Sequence, residues 1–221
     1  KKEVFLTTYS CHPMMANNET SGLVLFSFLG EWLINRDNYF TYRLMLGPET
    51  VGAIIYLDKH LEHLKRNTVA AFNLTCVGDD RAVSLMPSRS GRTLTDRLAR
   101  HYLNHLEEKY IEYDFLKHRG SSERQFCSPG VDLPMVSIMR SKYLTYPEYH
   151  TSLDNISLVS SQSLQKSYDI HVECIKILEA NRIYNSQIIG EPHFSRRKIF
   201  ERFGGGTDTP DQMSLMMDFL T

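Results

Sequence analysis

The stretch "YSCHPMMANNETSG", residues 9 to 22, joins two segments of opposite character. Before it, "EVFLTTYS" (3 to 10) is β-branched and aromatic and reads as a strand. After it, "TSGLVLFSFLGEWLIN" (20 to 35) is apolar almost all round and reads as a helix packed deep against a sheet. A plain strand-to-helix connection needs one turn. This one carries a histidine, two asparagines, a glutamate and a small Ser-Gly pair, and loops at strand ends are where binding and catalytic groups are placed.

Outward from that junction the order repeats. "TYRLML" (41 to 46) reads as a strand, 49 to 64 as a helix, "TVAAFNLTCV" (68 to 77) and "AVSLMP" (82 to 87) as strands, and 93 to 109 as a helix with a Ser/Thr cap. Strands at 111 to 115 and 134 to 139 and a helix over 160 to 182 complete the series. Such alternation predicts an α/β fold, a three-layer sandwich around a mostly parallel mixed sheet, in which ligands gather at the carboxyl ends of strands. The loops at 117 to 133 and 140 to 158 are longer than plain connections require. Residues 1 to 182 therefore read as one domain and the Gly/Pro-containing 183 to 209 as a linker. Residues 210 to 221 read as the start of a further module, and both chain ends look cut.

Composition narrows the partners. With 25 basic and 26 acidic residues the net charge is −1, so neither nucleic acid nor an anionic membrane is expected. The longest apolar run, eleven residues ending before Glu31, is too short to span a bilayer. Four scattered cysteines, 11, 76, 127 and 174, fit reduced thiols of a cytoplasmic protein, and Cys11 and Cys127 read by default as buried and inert. The pairs His101/His105 and His60/His63 read as solvated helix faces. Nothing in the composition speaks against a homo-oligomer.

The polar residues at successive strand ends are His12 with Asn17, Asn18 and Glu19; Glu49; Asp79 and Asp80; Glu123 and Arg124; and Tyr149, His150 and Asp154. In a doubly wound sheet these ends converge. Two histidines with carboxylates in one crevice are the composition of a hydrolytic zinc site. Plainer readings exist for several of them: Glu49 as an acid favourable to a helix dipole, Asp79 and Asp80 as turn residues, Asn17 and Asn18 as an Asx turn and N-cap.

The strings "TYSCHPMMANNETSG", "GPETVG", "LTCVGDD", "RGSSERQFCSPGVDLP" and "YPEYHTSLDN", in that order over residues 7 to 155, resemble a family of bacterial aminopeptidase-like proteins within the clan of co-catalytic zinc exopeptidases. "GEPHFSRRKIF" extends the match to 200. The resemblance implies a peptidase core followed by a winged helix, of which 210 to 221 would be the beginning. It also implies His12 and His150 as metal ligands, Asn18 or Asp79 completing the shell with Glu19 in reserve, and Glu49 as general base. Tyr149 or Arg124 would stabilise the oxyanion, and Thr151 and Asp154 would orient the His150 ring. Asn18 stands where the clan has a bridging aspartate, Thr50 where it has a second glutamate, Met14 where it has the aspartate supporting the first histidine, and Thr75 where it has the third-strand aspartate. With those charges gone, one zinc ion is expected rather than two. The implied activity is hydrolysis of an amide bond in a small peptide or peptide-like substrate. The alternatives are an amidase or deacylase acting on a modified sugar or cell-envelope intermediate, and a degenerate metal-binding or regulatory domain.

Overall fold

The structure, a computed structural model, describes residues 1–182. The expected linker (183–209) and winged-helix start (210–221) lie outside the described residues. Strands β1 (Glu3–Tyr9), β2 (Thr41–Gly47), β3 (Thr68–Asn73), β4 (Val83–Met86), β5 (Tyr110–Glu112) and β6 (Met135–Met139) form one sheet in the order β2-β1-β3-β6-β4-β5. All neighbouring pairs are parallel except β4 with β6. The mostly parallel mixed sheet is therefore as expected.

Alternation along the strands divides the core into two layers. Val4, Leu6, Phe72, Val136 and Leu85 face one side, where they meet helices α1 (Ser21–Ile34), α3 (Leu94–Leu103) and α6 (Ser161–Ala180). Phe5, Ala71, Met135 and Met86 face the other. There they meet α2 (Val51–Asn67) and two one-turn helices, α4 (Phe115–His118) and α5 (Glu123–Phe126). Helix α1 differs from its expected deep burial: it buries a single stripe, Leu25, Leu29 and Leu33, and leaves Phe28 57% exposed. At its start, Gly22 lies so close to the segment leaving β3 that a Cβ would come within 2.5 Å of the Leu74 carbonyl oxygen, so no larger residue fits.

Three boundaries moved for local reasons. β3 stops at Asn73 instead of 77 because Cys76 takes a left-handed conformation (φ 52°), turning the chain so that its carbonyl accepts from the Arg140 N–H. Helix α3 ends at Leu103 instead of 109, where the chain tightens into i→i+3 bonds at His105 and Leu106. The expected strand to 115 ends at Glu112, because Asp114 caps α4 by accepting from the Lys117 N–H.

Inside α6, His171 is buried against Phe72, its Nδ1 bonded to the Ser167 carbonyl and its Nε2 without a partner among the described residues. Burial holds its pKa down, to about 4. The imidazole thus stays neutral in the fold but protonates in the unfolded chain below its ordinary value near ~6.5. Its contribution is complete above that value and is lost as pH falls toward 4. At about 1.4 kcal/mol per unit, the loss amounts to about 3 kcal/mol. Urea unfolding at pH 7 and pH 4.5 should therefore show a smaller acid-induced drop for His171→Leu than for wild type. Equal drops would mean that His171 accepts its proton while folded.

Candidate metal centre and active site

β1 runs by α1 to β2 on one side, and β2 returns by α2 to β3 on the other. The strand order reverses between β1 and β3, the place where a doubly wound sheet opens a crevice beyond its carboxyl ends. The loops that leave β1 and β3 meet there. The Tyr9 hydroxyl lies 2.6 Å from Thr75 Oγ1, and Thr75 Oγ1 donates to the Asn18 carbonyl at 2.8 Å.

The quoted junction is folded by its own glutamate. Glu19, 1% exposed, accepts at Oε2 from the backbone N–H groups of Cys11 (2.7 Å) and His12, and the same oxygen is 3.4 Å from His12 Nδ1. Its other oxygen, Oε1, is buried without a hydrogen-bond partner among the described residues. Residues Ala16–Thr20 form a π-helical turn in which neither asparagine acts as the expected N-cap. Asn17 instead accepts from the N–H groups of Gly78 and Asp79, and Asn18 Nδ2 donates to the Tyr9 hydroxyl, leaving Asn18 Oδ1 buried and without a hydrogen-bond partner among the described residues.

His150 arrives from the far end of the domain. Its ring stacks at 5.0 Å on His12 and at 4.0 Å on Tyr149. Burial, and then the proximity of His12, lower its pKa, so the neutral imidazole suited to metal binding is favoured. Its backbone is left-handed (φ 55°), as is that of Thr50 (φ 59°) beside Glu49. Non-glycine residues held this way cluster at functional sites, where the surrounding structure sustains the strain. Glu49 is half-buried, and its pKa is raised chiefly by desolvation and further by Glu123, against the opposing hydrogen bond from Ser121 and the charges of His12 and Arg124. Arg124 is exposed and donates to Thr50 Oγ1 at 2.9 Å, which holds it next to Glu49.

Two expected roles fall elsewhere. Asp79, 1% exposed, accepts four hydrogen bonds: from Ser141 Oγ (2.7 Å), Ser141 N–H (2.8 Å), Arg81 N–H (3.0 Å) and Asn17 Nδ2 (3.0 Å). That fills the lone-pair sites of a carboxylate, and Asp79 works as a tie between loops rather than as an open donor to a metal. Asp154 does not hold the His150 ring. It accepts from the N–H groups of Asn17 (2.6 Å) and Asn18 (3.0 Å) and from the Tyr146 hydroxyl (3.1 Å), clamping the π-turn to the late loop.

Cys11 is the residue that sequence reasoning undervalued. It is exposed, unlike Cys76, Cys127 and Cys174, and its Sγ is 3.1 Å from His12 Nδ1. The Glu49 N–H points at the same sulfur, at 3.4 Å. Partial desolvation of the thiol, with Glu19 and Glu49 nearby, holds its pKa above the ordinary value, so without a cation it is not a ready nucleophile. The Cys-His dipeptide was the available signal.

Among the described residues no helix is long and apolar enough to cross a membrane. A protein of Clostridium acetobutylicum, provisionally named for polysaccharide biosynthesis with an aminopeptidase-like domain, is 37% identical over 211 residues, covering 95% of this chain and 48% of the relative. A crystal structure provisionally called a peptidase, from the same organism, superposes with a TM-score of 0.81 at 36% identity, over 89% of this chain and 46% of that one. The chain thus spans about half the length of the relatives it matches. The zinc aminopeptidase BSAP from Bacillus subtilis matches at a TM-score of 0.63 and 19% identity, over 80% of this chain and 46% of that one, a likeness of fold. The profile of the family described as "Domain of unknown function (DUF4910)" matches residues 1–181, so the chain belongs to that family and has an aminopeptidase-like fold.

Proposed function

We propose that this domain is a zinc-dependent, aminopeptidase-like hydrolase that cleaves an amide bond of a peptide or peptide-like conjugate. The observation that carries the reading is the meeting of His12 and His150 at the β1/β3 crevice, beside the buried Glu19 carboxylate, one oxygen of which has no hydrogen-bond partner among the described residues. A buried carboxylate oxygen left unpaired is costly, and a cation is the partner that would relieve it. The donor set fits zinc: His12 and Glu19 would hold the ion, with His150 and Asn18 Oδ1 as further donors. Zinc, when bound, supplies a Lewis acid that acidifies water and polarises a carbonyl oxygen. Glu49 takes up a proton at its carboxylate and returns it to the leaving amine, a role that its raised pKa favours. The Tyr149 hydroxyl, kept protonated by burial, and the Arg124 guanidinium are the hydrogen-bond donors available to a developing oxyanion. A single ion is favoured because Asn18 and Thr75 join Tyr9 in a neutral hydrogen-bonded cluster where a second site would need carboxylates.

A second reading, an amidase or deacylase on an acylated amino sugar, is favoured by the name of the Clostridium relative. The full chain, loaded with zinc, should be assayed on aminoacyl anilides and on N-acylated amino sugars. Turnover of anilides that is lost on chelation and restored by zinc is the expected result. Turnover of the sugars alone would move the assignment to the second reading, and turnover of neither would remove the hydrolase.

A further inference from the structure

We infer that Cys11 is a metal ligand, so that the zinc is held by Cys11, His12 and Glu19 together; this rests on the zinc reading above and adds a thiolate to it. Among the described residues these three form the group of histidine, cysteine and acidic side chains able to share an ion, with one ligand atom from each lying within 4.8 Å of the others. Two donors on one tetrahedral zinc, with bonds of about 2.0–2.3 Å, lie roughly 3.3–3.6 Å apart. His12 Nδ1 is 3.4 Å from Glu19 Oε2 and 3.1 Å from Cys11 Sγ, so two of the three ligand edges are close to the lengths a shared zinc requires. The second, independent observation is the Glu19 carboxylate itself, 1% exposed: its Oε2, already accepting from two backbone N–H groups, is the oxygen beside His12, and its Oε1 has no hydrogen-bond partner among the described residues.

Charge gives the reason for a sulfur. Asn18 and Thr75 are neutral where the wider clan carries carboxylates, so an ion here would meet too little negative charge from oxygen donors. A thiolate at Cys11 with the Glu19 carboxylate neutralises two positive charges. The thiol proton leaves to solvent as the sulfur–zinc bond forms, and the Glu49 N–H, already directed at Sγ, stabilises the charge left on sulfur. A thiolate also selects zinc over magnesium and calcium.

The test is cobalt(II) substitution of the full chain. Tetrahedral d–d absorption is expected together with a near-ultraviolet thiolate-to-cobalt charge-transfer band. Cys11→Ser should lose that band and bind zinc at least ~10-fold more weakly, since even an outer-shell partner is worth that much. In the unmodified protein, zinc should shield Cys11 from iodoacetamide, a readout that needs no variant. Cobalt bound with d–d absorption but without the charge-transfer band, or zinc that leaves Cys11 freely alkylated, would overturn the thiolate and leave the zinc reading standing. Failure to bind either metal would overturn both.

Discussion

Replacing Glu49 by glutamine is expected to leave zinc content unchanged and to lower turnover of an aminoacyl anilide by ~10²–10⁴-fold or more, the scale of a lost general base. The substitution keeps the shape of the side chain and can keep the contact with Ser121, so the half-buried position should stay filled. What it removes is the capacity to take up a proton. Desolvation and Glu123 already raise the pKa of the carboxyl group, the direction that favours proton uptake by the proposed base. Metal analysis beside steady-state kinetics separates the outcomes. Turnover within a few-fold of wild type would remove Glu49 from the mechanism, whereas loss of zinc would make it a ligand.

Protein purified from zinc-supplied cells should contain close to one equivalent of the metal, and His12→Ala should reduce this to a trace. His12 is central because its Nδ1 lies beside both Glu19 and Cys11. His150→Ala is expected to strip the ion as well. It removes the imidazole stacked on His12 and, being exposed, should not unfold the domain. Far-UV circular dichroism recorded with metal analysis checks this. Wild-type protein free of zinc under those conditions would remove the metal centre.

The sheet and its helices were legible because their apolar residues repeat with strand and helix periods. Val4 and Leu6 face one layer and Phe5 the other, as simple alternation requires. The exposure of Phe28 was not legible, since it depends on how much of α1 the neighbouring α6 covers. Motif order points to His12, His150 and Glu49, and the fold brings the two histidine rings together. Asp79 could not be judged from sequence, because its four partners come from Ser141, Arg81 and Asn17, and only the folded chain brings all three to it. Cys11 was misjudged for a related reason: the average cysteine is buried, and only the path of the loop after β1 leaves this one exposed beside His12.

The Asp154 clamp bears on how the protein would behave when deprived of metal. In small zinc domains the ion is a structural staple, and its removal unfolds the chain. Here the turn that carries Asn17 and Asn18 is held by a carboxylate that comes 137 residues after Asn17 in the chain, and the segment carrying His12 is held by Glu19 through two backbone amides. On the zinc reading proposed above, chelation is therefore expected to lower the melting temperature through loss of the ion's binding energy and yet leave the domain folded, which thermal unfolding with and without a chelator checks.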